Sequence, residues 1–120
     1  MRLASVALLI LTAPALAQEV EGDAERGQNL FQRQCTSCHA VDEPRNSAGP
    51  TLQGLMGRVA GSAEGFTYSS ALQESGITWT EEALDAYLAN PGALVRGTRM
   101  AVRVPNDAHR RDIIAYLAAQ

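Results

Sequence analysis

Lysine is absent from this 120-residue chain: its ten basic residues are all arginine, set against thirteen aspartates and glutamates for a net charge of −3. Such an acidic surface argues against nucleic acid as a partner. Aromatic residues are scarce as well, with one tryptophan, three tyrosines and two phenylalanines. A domain of this size with so few large side chains is near the lower limit for stabilising itself by burial alone. Something other than its own side chains is therefore expected to help fill the centre. No internal repeat, low-complexity tract or run with convincing strand alternation occurs, so an all-α fold is expected.

The N-terminus reads as an export signal. Arg2 supplies a positive charge, Leu3 to Leu11 form an apolar run, and Ala15-Leu16-Ala17 has the small-x-small form of a cleavage site. That run is too short for a permanent membrane helix, and no later stretch is apolar enough to span. Residues 1–17 are expected to be a cleaved secretory signal and 18–120 a single domain, exported and soluble in the periplasm. Without Arg2 the charge becomes about −4. It is unevenly placed: residues 18–43 and 81–90 are acidic, whereas Arg96, Arg99, Arg103, Arg110 and Arg111 make the C-terminal third basic.

Helical patterns lie at both ends. After Asp23, a good N-cap, Gly27, Phe31 and Cys35 recur on one face. A last helix follows Asn106, with Ile113, Ile114 and Leu117 as its apolar stripe and an Asp107–Arg111 surface pair expected four residues apart. A third starts after Thr80, turns Leu84, Tyr87 and Leu88 inward, and stops at Asn90-Pro91. A short one is expected over Ser69 to Ser75, closed by Gly76. The intervening 40–65 and 91–105 read as loops, long for so small a domain. Ordered loops of that length need a reason, and wrapping a ligand is a good one.

Both cysteines fall within RQCTSCHAVD, as Cys35-Thr36-Ser37-Cys38-His39. A dithiol redox motif needs the pair at a helix N-terminus, usually beside a βαβ unit. Here it ends a helical segment, and no βαβ pattern exists. Structural zinc needs four ligands, and only Cys35, Cys38, His39 and His109 are available, with an adjacent cysteine and histidine that suit a tetrahedron poorly. Cys-x-x-Cys-His is the attachment motif of c-type haem. Two thioethers at Cys35 and Cys38 fix the vinyl-bearing edges, and His39 turns its imidazole under the iron. Candidates for the opposite axial position are Met56, Met100 and His109.

The ordered segments GDAERGQNLFQRQCTSCH, AGPTLQGLMGR, GFTYSSALQESGITW, YLANP, GTRM and DIIAYL closely resemble the class I c-type cytochromes, in their soluble periplasmic bacterial form related to mitochondrial cytochrome c. The resemblance covers nearly all of residues 22–118. It implies the class I cytochrome c fold, three to five helices with long loops wrapped around one covalently attached haem. The first helix would cross the last near Tyr116, with Gly27 allowing close approach. It also implies Met100 as the second axial ligand and Pro50 as the carbonyl that orients His39. Arg58, Tyr68 and Trp79 match donors to a buried haem propionate, and Tyr87 and Thr98 match groups on the methionine side. Three departures stand out: Leu72 where the mitochondrial proteins have an asparagine, Val102 in place of an aromatic, and Arg96 in place of a proline.

With both axial positions filled, no open coordination site remains for a substrate, so an electron carrier and not an enzyme is expected. A thioether ligand favours ferrous iron and raises the reduction potential. The implied role is a soluble, monomeric one-electron carrier taking electrons from a quinol-oxidising complex to a terminal oxidase or a photosynthetic reaction centre. The alternative is a dedicated electron-transfer subunit of a periplasmic dehydrogenase. Arg96, Arg99 and Arg103 bracket Met100 and are expected to form a positive docking patch for an acidic partner, the competing reading being that they serve solubility.

Overall fold

The computed structural model describes residues 8–13 and 22–120. The Ala15-Leu16-Ala17 triplet and most of the expected 1–17 signal lie outside the described residues; within 8–13 the chain has no regular structure. Five helices follow: α1 (Ala24–Gln34), α2 (Ser70–Gln73), α3 (Glu81–Ala89), α4 (Pro91–Leu94) and α5 (Asp107–Ala118). Among the described residues there is no strand, only two isolated bridges, His39 with Asn46 and Val59 with Thr78.

Each helix starts on a side-chain cap that accepts an otherwise unpaired N–H. Asp23 receives Glu25 and Arg26, Ser69 receives Leu72, Thr80 receives Ala83, Asn90 receives Ala93 and Asn106 receives His109. Asn90 has two duties, because it closes α3 and opens α4, with Pro91 in the first turn of α4. The expected loop over 91–105 therefore begins with a turn of helix. Proline forbids α3 to continue, but its fixed φ suits the start of the next helix. The α2 segment is shorter than Ser69 to Ser75, and Gly76 beyond it has a φ of 69°.

The core is organised by α1 crossing α5. Phe31 and Ile113 are almost fully buried, and the rings of Phe31 and Tyr116 are 5.4 Å apart. Gly27 lies against the α5 backbone, where an added Cβ would overlap the Asp112 carbonyl. The crossing is tied by the Asp112 carboxylate, which accepts from the Asp23 N–H at 2.8 Å and from Arg26 Nε at 3.1 Å. Burial pushes this carboxyl up, but the Arg26 guanidinium, the Asp23 N–H and the charge of His109 together outweigh it and hold it below the usual carboxylate range.

On the other side of α5, Arg110 gathers three segments. Its Nε donates to Asp85 on α3 at 2.8 Å, Nη1 donates to the Val104 and Pro105 carbonyls, and Nη2 meets Asp107. The expected Asp107–Arg111 pair is thus replaced by an Asp107–Arg110 pair. Three and four residues apart are equally adjacent on a helix, and Arg110 lies on the buried face, where Asp85 and two carbonyls add to the attraction.

Two outcomes are expected. Gly27→Ala meets backbone and not a movable side chain, so it should cost about 1–3 kcal/mol or more in denaturant unfolding of the haem-loaded protein. Asp112 has a depressed folded pKa, so its stabilisation is present above the ordinary carboxylate range and is lost as pH falls through the folded value. Asp112→Asn lacks that contribution throughout, and its stability should fall less steeply than the parent's on acidification, as unfolding midpoints against pH would show.

Candidate functional site

The end of α1 and the loop after it form one wall of an apolar cavity of about 360 Å3. Cys35 is the C-cap, its N–H bonded to the Phe31 carbonyl. Its own carbonyl accepts from the Cys38 N–H at 3.1 Å and the His39 N–H at 2.9 Å, which closes a tight turn. Cys35, Cys38 and His39 all line the cavity. The two thiols are free. Burial pushes the Cys35 thiol up to about 11, with the neighbouring Cys38 adding to the rise. A redox dithiol needs the opposite shift.

His39 is held from two sides. Its Nδ1 is 2.7 Å from the Pro50 carbonyl, and the face of its ring rests on Gly49, where any Cβ would overlap the imidazole. Burial lowers the His39 pKa, against the pull of the Pro50 bond, so the neutral form is favoured. A carbonyl oxygen carries no proton, so the proton sits on Nδ1 and Nε2 keeps its lone pair. That is the tautomer a metal ligand needs.

Met100 lies on the lining of the same cavity; Met56 and His109 do not. Met56 packs against the hydrophobic core, and His109 is exposed in the first turn of α5. Ile113 and Leu117 of α5 and Leu84 and Leu88 of α3 supply apolar wall. Tyr87 is buried, stands 5.0 Å from the Trp79 ring and bonds Thr98 through the two hydroxyls at 2.6 Å. Burial raises the Tyr87 pKa and the Thr98 bond opposes it. All three line the cavity, as do Leu72 and Tyr68. The Tyr68 hydroxyl accepts the Ala63 N–H at 3.1 Å, which leaves its own proton available to donate.

Arg58 offers the sharpest fit test for a haem. It lines the cavity, and its Nη1 and Nη2 donate to the Gln53 and Thr51 carbonyls, each at 2.8 Å. Its Nε is buried with no partner. An orphaned buried donor on a cation costs about 1–3 kcal/mol or more, and a carboxylate brought into the cavity with a haem would suit this guanidinium. With two free thiols, a neutral imidazole and an apolar wall, the residues fit a covalently held haem.

The three proposed docking arginines are exposed. Arg99 is more than a surface charge: its Nη1 donates to the Thr67 carbonyl at 2.8 Å and ties the Met100 loop to the 61–68 loop. Sequence reasoning passed over Asn46, Gly49 as a seat for the imidazole, and Arg110. Gly49 stands in the quoted AGP segment, but only geometry reveals what its missing Cβ makes room for.

Fold and site together define a helical protein that encloses one covalent haem. The Cytochrome c family model matches residues 24–120. The chain is 48% identical over 98 residues to cytochrome c of Tetrahymena pyriformis, covering 81% of this chain and 88% of that protein. It is 43% identical over 116 residues to cytochrome c2 of Rhodomicrobium vannielii, covering 95% and 90%. Among solved structures it matches cytochrome cH from Methylobacterium extorquens with a TM-score of 0.77 and 40% identity, over 82% of this chain and all of that one. The chain belongs to the cytochrome c family. It has the cytochrome c fold, carries haem c, and is an electron carrier and not an enzyme. No helix among the described residues is long and apolar enough to cross a membrane.

Gly49→Ala should force the imidazole off the Pro50 carbonyl, a loss of about 0.5–1.5 kcal/mol for the bond alone. The expected outcome is a lower haem-to-protein absorbance ratio in purified material, whereas Gly54→Ala, at an open position with a φ of 64°, should strain only its own turn.

Proposed function

We propose that the chain is an exported one-electron carrier of the periplasm, made with a signal over residues 1–17 that is removed to leave a monomeric domain over 18–120. In this reading Cys35 and Cys38 would hold the haem through thioethers, His39 and Met100 would ligate its iron, and the protein moves electrons between a quinol-oxidising complex and a terminal oxidase or reaction centre. The observation that carries it is that His39 and Met100 line one apolar cavity, with His39 already anchored through Nδ1. Similarity to a cytochrome c2 over 95% of the chain, including part of the N-terminal segment, supports the exported reading.

The haem supplies an iron that changes by one electron with no bond required to break. The protein's residues keep that change inexpensive. Pro50 fixes the imidazole plane, and Gly49 lets it sit close. Tyr87 and Thr98 satisfy each other beside the methionine loop and leave no loose buried hydroxyl to reorient. Arg58, Tyr68 and Trp79 serve as donors toward a propionate that the fold takes out of water. Apolar residues from α3 and α5 exclude water from the rest. A site in which little has to move suits rapid transfer in both directions.

Met100→Ala should abolish the long-wavelength iron–sulfur charge-transfer band of the oxidised protein and let carbon monoxide bind the reduced form. A parent protein without that band would overturn the Met100 assignment. For the docking patch, Arg96 and Arg103 are the positions to reverse, because neither is engaged in a hydrogen bond or ion pair among the described residues, whereas Arg99 is also a loop tie. Arg96→Glu with Arg103→Glu should slow transfer to an acidic partner by roughly tenfold or more at low ionic strength, with the difference shrinking as salt is added. An unchanged rate and salt dependence would leave these arginines a solubility role.

A further inference from the structure

Asn46 is half-buried in the loop after the haem motif, and its backbone bridges that of His39. Its side chain does something less visible. The Pro50 carbonyl that accepts from His39 Nδ1 at 2.7 Å belongs to the same peptide unit as the Thr51 N–H. That N–H donates to Asn46 Oδ1 at 2.9 Å, and Thr51 is buried. An amide is a conjugated plane, so an acceptor on its N–H draws positive character onto nitrogen and negative character onto oxygen. Hydrogen bonds linked through one amide strengthen each other by about 10–30% each.

We propose that Asn46 is a positioning residue for the iron's histidine, acting through the Pro50–Thr51 peptide: by accepting the Thr51 N–H it makes the Pro50 carbonyl a stronger acceptor and His39 a stronger donor to iron. The inference rests on His39 being the axial ligand, as proposed above. Greater negative character on the imidazole favours the ferric state and lowers the reduction potential.

The orientation of the Asn46 amide follows from its second partner. Nδ2 donates to the Glu64 carbonyl at 2.9 Å. A flipped amide would set NH2 against the Thr51 N–H and oxygen against the Glu64 oxygen, losing both bonds. The peptide itself cannot swing away. The next unit is held at both ends, with the Thr51 carbonyl on Arg58 Nη2 at 2.8 Å and the Leu52 N–H on the Ala40 carbonyl at 2.8 Å. Asn46 thus acts on a plane already fixed in direction, which leaves polarisation as its contribution to the imidazole.

Two variants separate this role from a simple tie between loops. Asn46→Leu is of similar size and offers no hydrogen bond. Asn46→Asp keeps an acceptor for Thr51 but loses the donor to Glu64. The readouts are reduction potential and, by NMR, the shift and solvent exchange of the His39 Nδ1 proton. For Asn46→Leu the potential should rise by a roughly threefold to tenfold change in the redox equilibrium, tenfold being about 59 mV for one electron, with faster Nδ1–H exchange. For Asn46→Asp the Nδ1–H signal should move the opposite way, to slower exchange and a stronger hydrogen bond. If both variants lose stability alike while the Nδ1–H signal stays at the parent's position, Asn46 only ties the loops and the proposal is overturned. Should Asn46→Leu not mature, the Nδ1–H shift in Asn46→Asp decides alone. A parent His39 Nδ1–H resonance indifferent to the iron's oxidation state would instead overturn His39 ligation itself, and the inference with it.

Discussion

Everything in this structure hangs on the close crossing of α1 and α5 at Gly27. Two helices can approach this far only where one lacks a side chain, and a Cβ at Gly27 would overlap the Asp112 carbonyl. The crossing brings Phe31 to Tyr116 and buries Ile113. It also fixes the direction in which α1 ends. Cys35 caps that end, so the turn carrying both thiols and His39 is aimed by the helix crossing before any haem contact is made. The same α5 face supplies Ile113 and Leu117 to the cavity. One glycine thereby couples the helical frame to the position of the haem motif.

Beyond that frame, order in the loops comes from polar groups that reach backbone, since there is no sheet among the described residues to satisfy it. Thr51 is the densest example. Its N–H goes to Asn46, its carbonyl to Arg58, and its hydroxyl to the Glu43 carbonyl while accepting from the Gln53 N–H. Each such bond contributes only about 0.5–1.5 kcal/mol net, but together they leave the segment no alternative that keeps its polar groups paired. The consequence for function is rigidity at the right place. The peptide between Pro50 and Thr51 touches the imidazole on one side and, through the next carbonyl, Arg58 on the other. The His39 side and the Arg58 side of the cavity are therefore held in register by two adjacent residues.

Much of this was legible in the sequence wherever the determinant is local. The caps at Asp23, Thr80 and Asn106 are read from residue type and the apolar pattern that follows. Cys35, Cys38 and His39 announce themselves by spacing, and Gly27 and Phe31 by periodicity. The helix at Pro91 was missed because Asn90-Pro91 looks like a stop, and only the structure shows that the same pair is also a start. The partner of Asp107 was placed one residue too far because burial on α5, which selects Arg110, depends on where α3 and the 104–105 carbonyls come to lie. Asn46 was invisible for a similar reason. Nothing in its neighbourhood marks it, and its importance arises from a peptide that the fold brings alongside.

The absence of lysine takes on meaning in this light. A lysine ammonium has three donors on one rotating point, whereas a guanidinium offers five in a rigid fork. Arg110 reaches Asp85, Asp107 and the Val104 and Pro105 carbonyls at once, joining α3, α5 and the end of the methionine loop. Arg58 bonds the Gln53 and Thr51 carbonyls, and its Nε is buried without a partner. Arg26 reaches Asp112 across the helix crossing, and Arg99 spans two loops beside the cavity. A single ammonium, with three donors, could not match the four acceptors that Arg110 meets. In a domain with six aromatic residues and long loops, planar multidentate cations do part of the cross-linking that a larger apolar core or a sheet would otherwise provide.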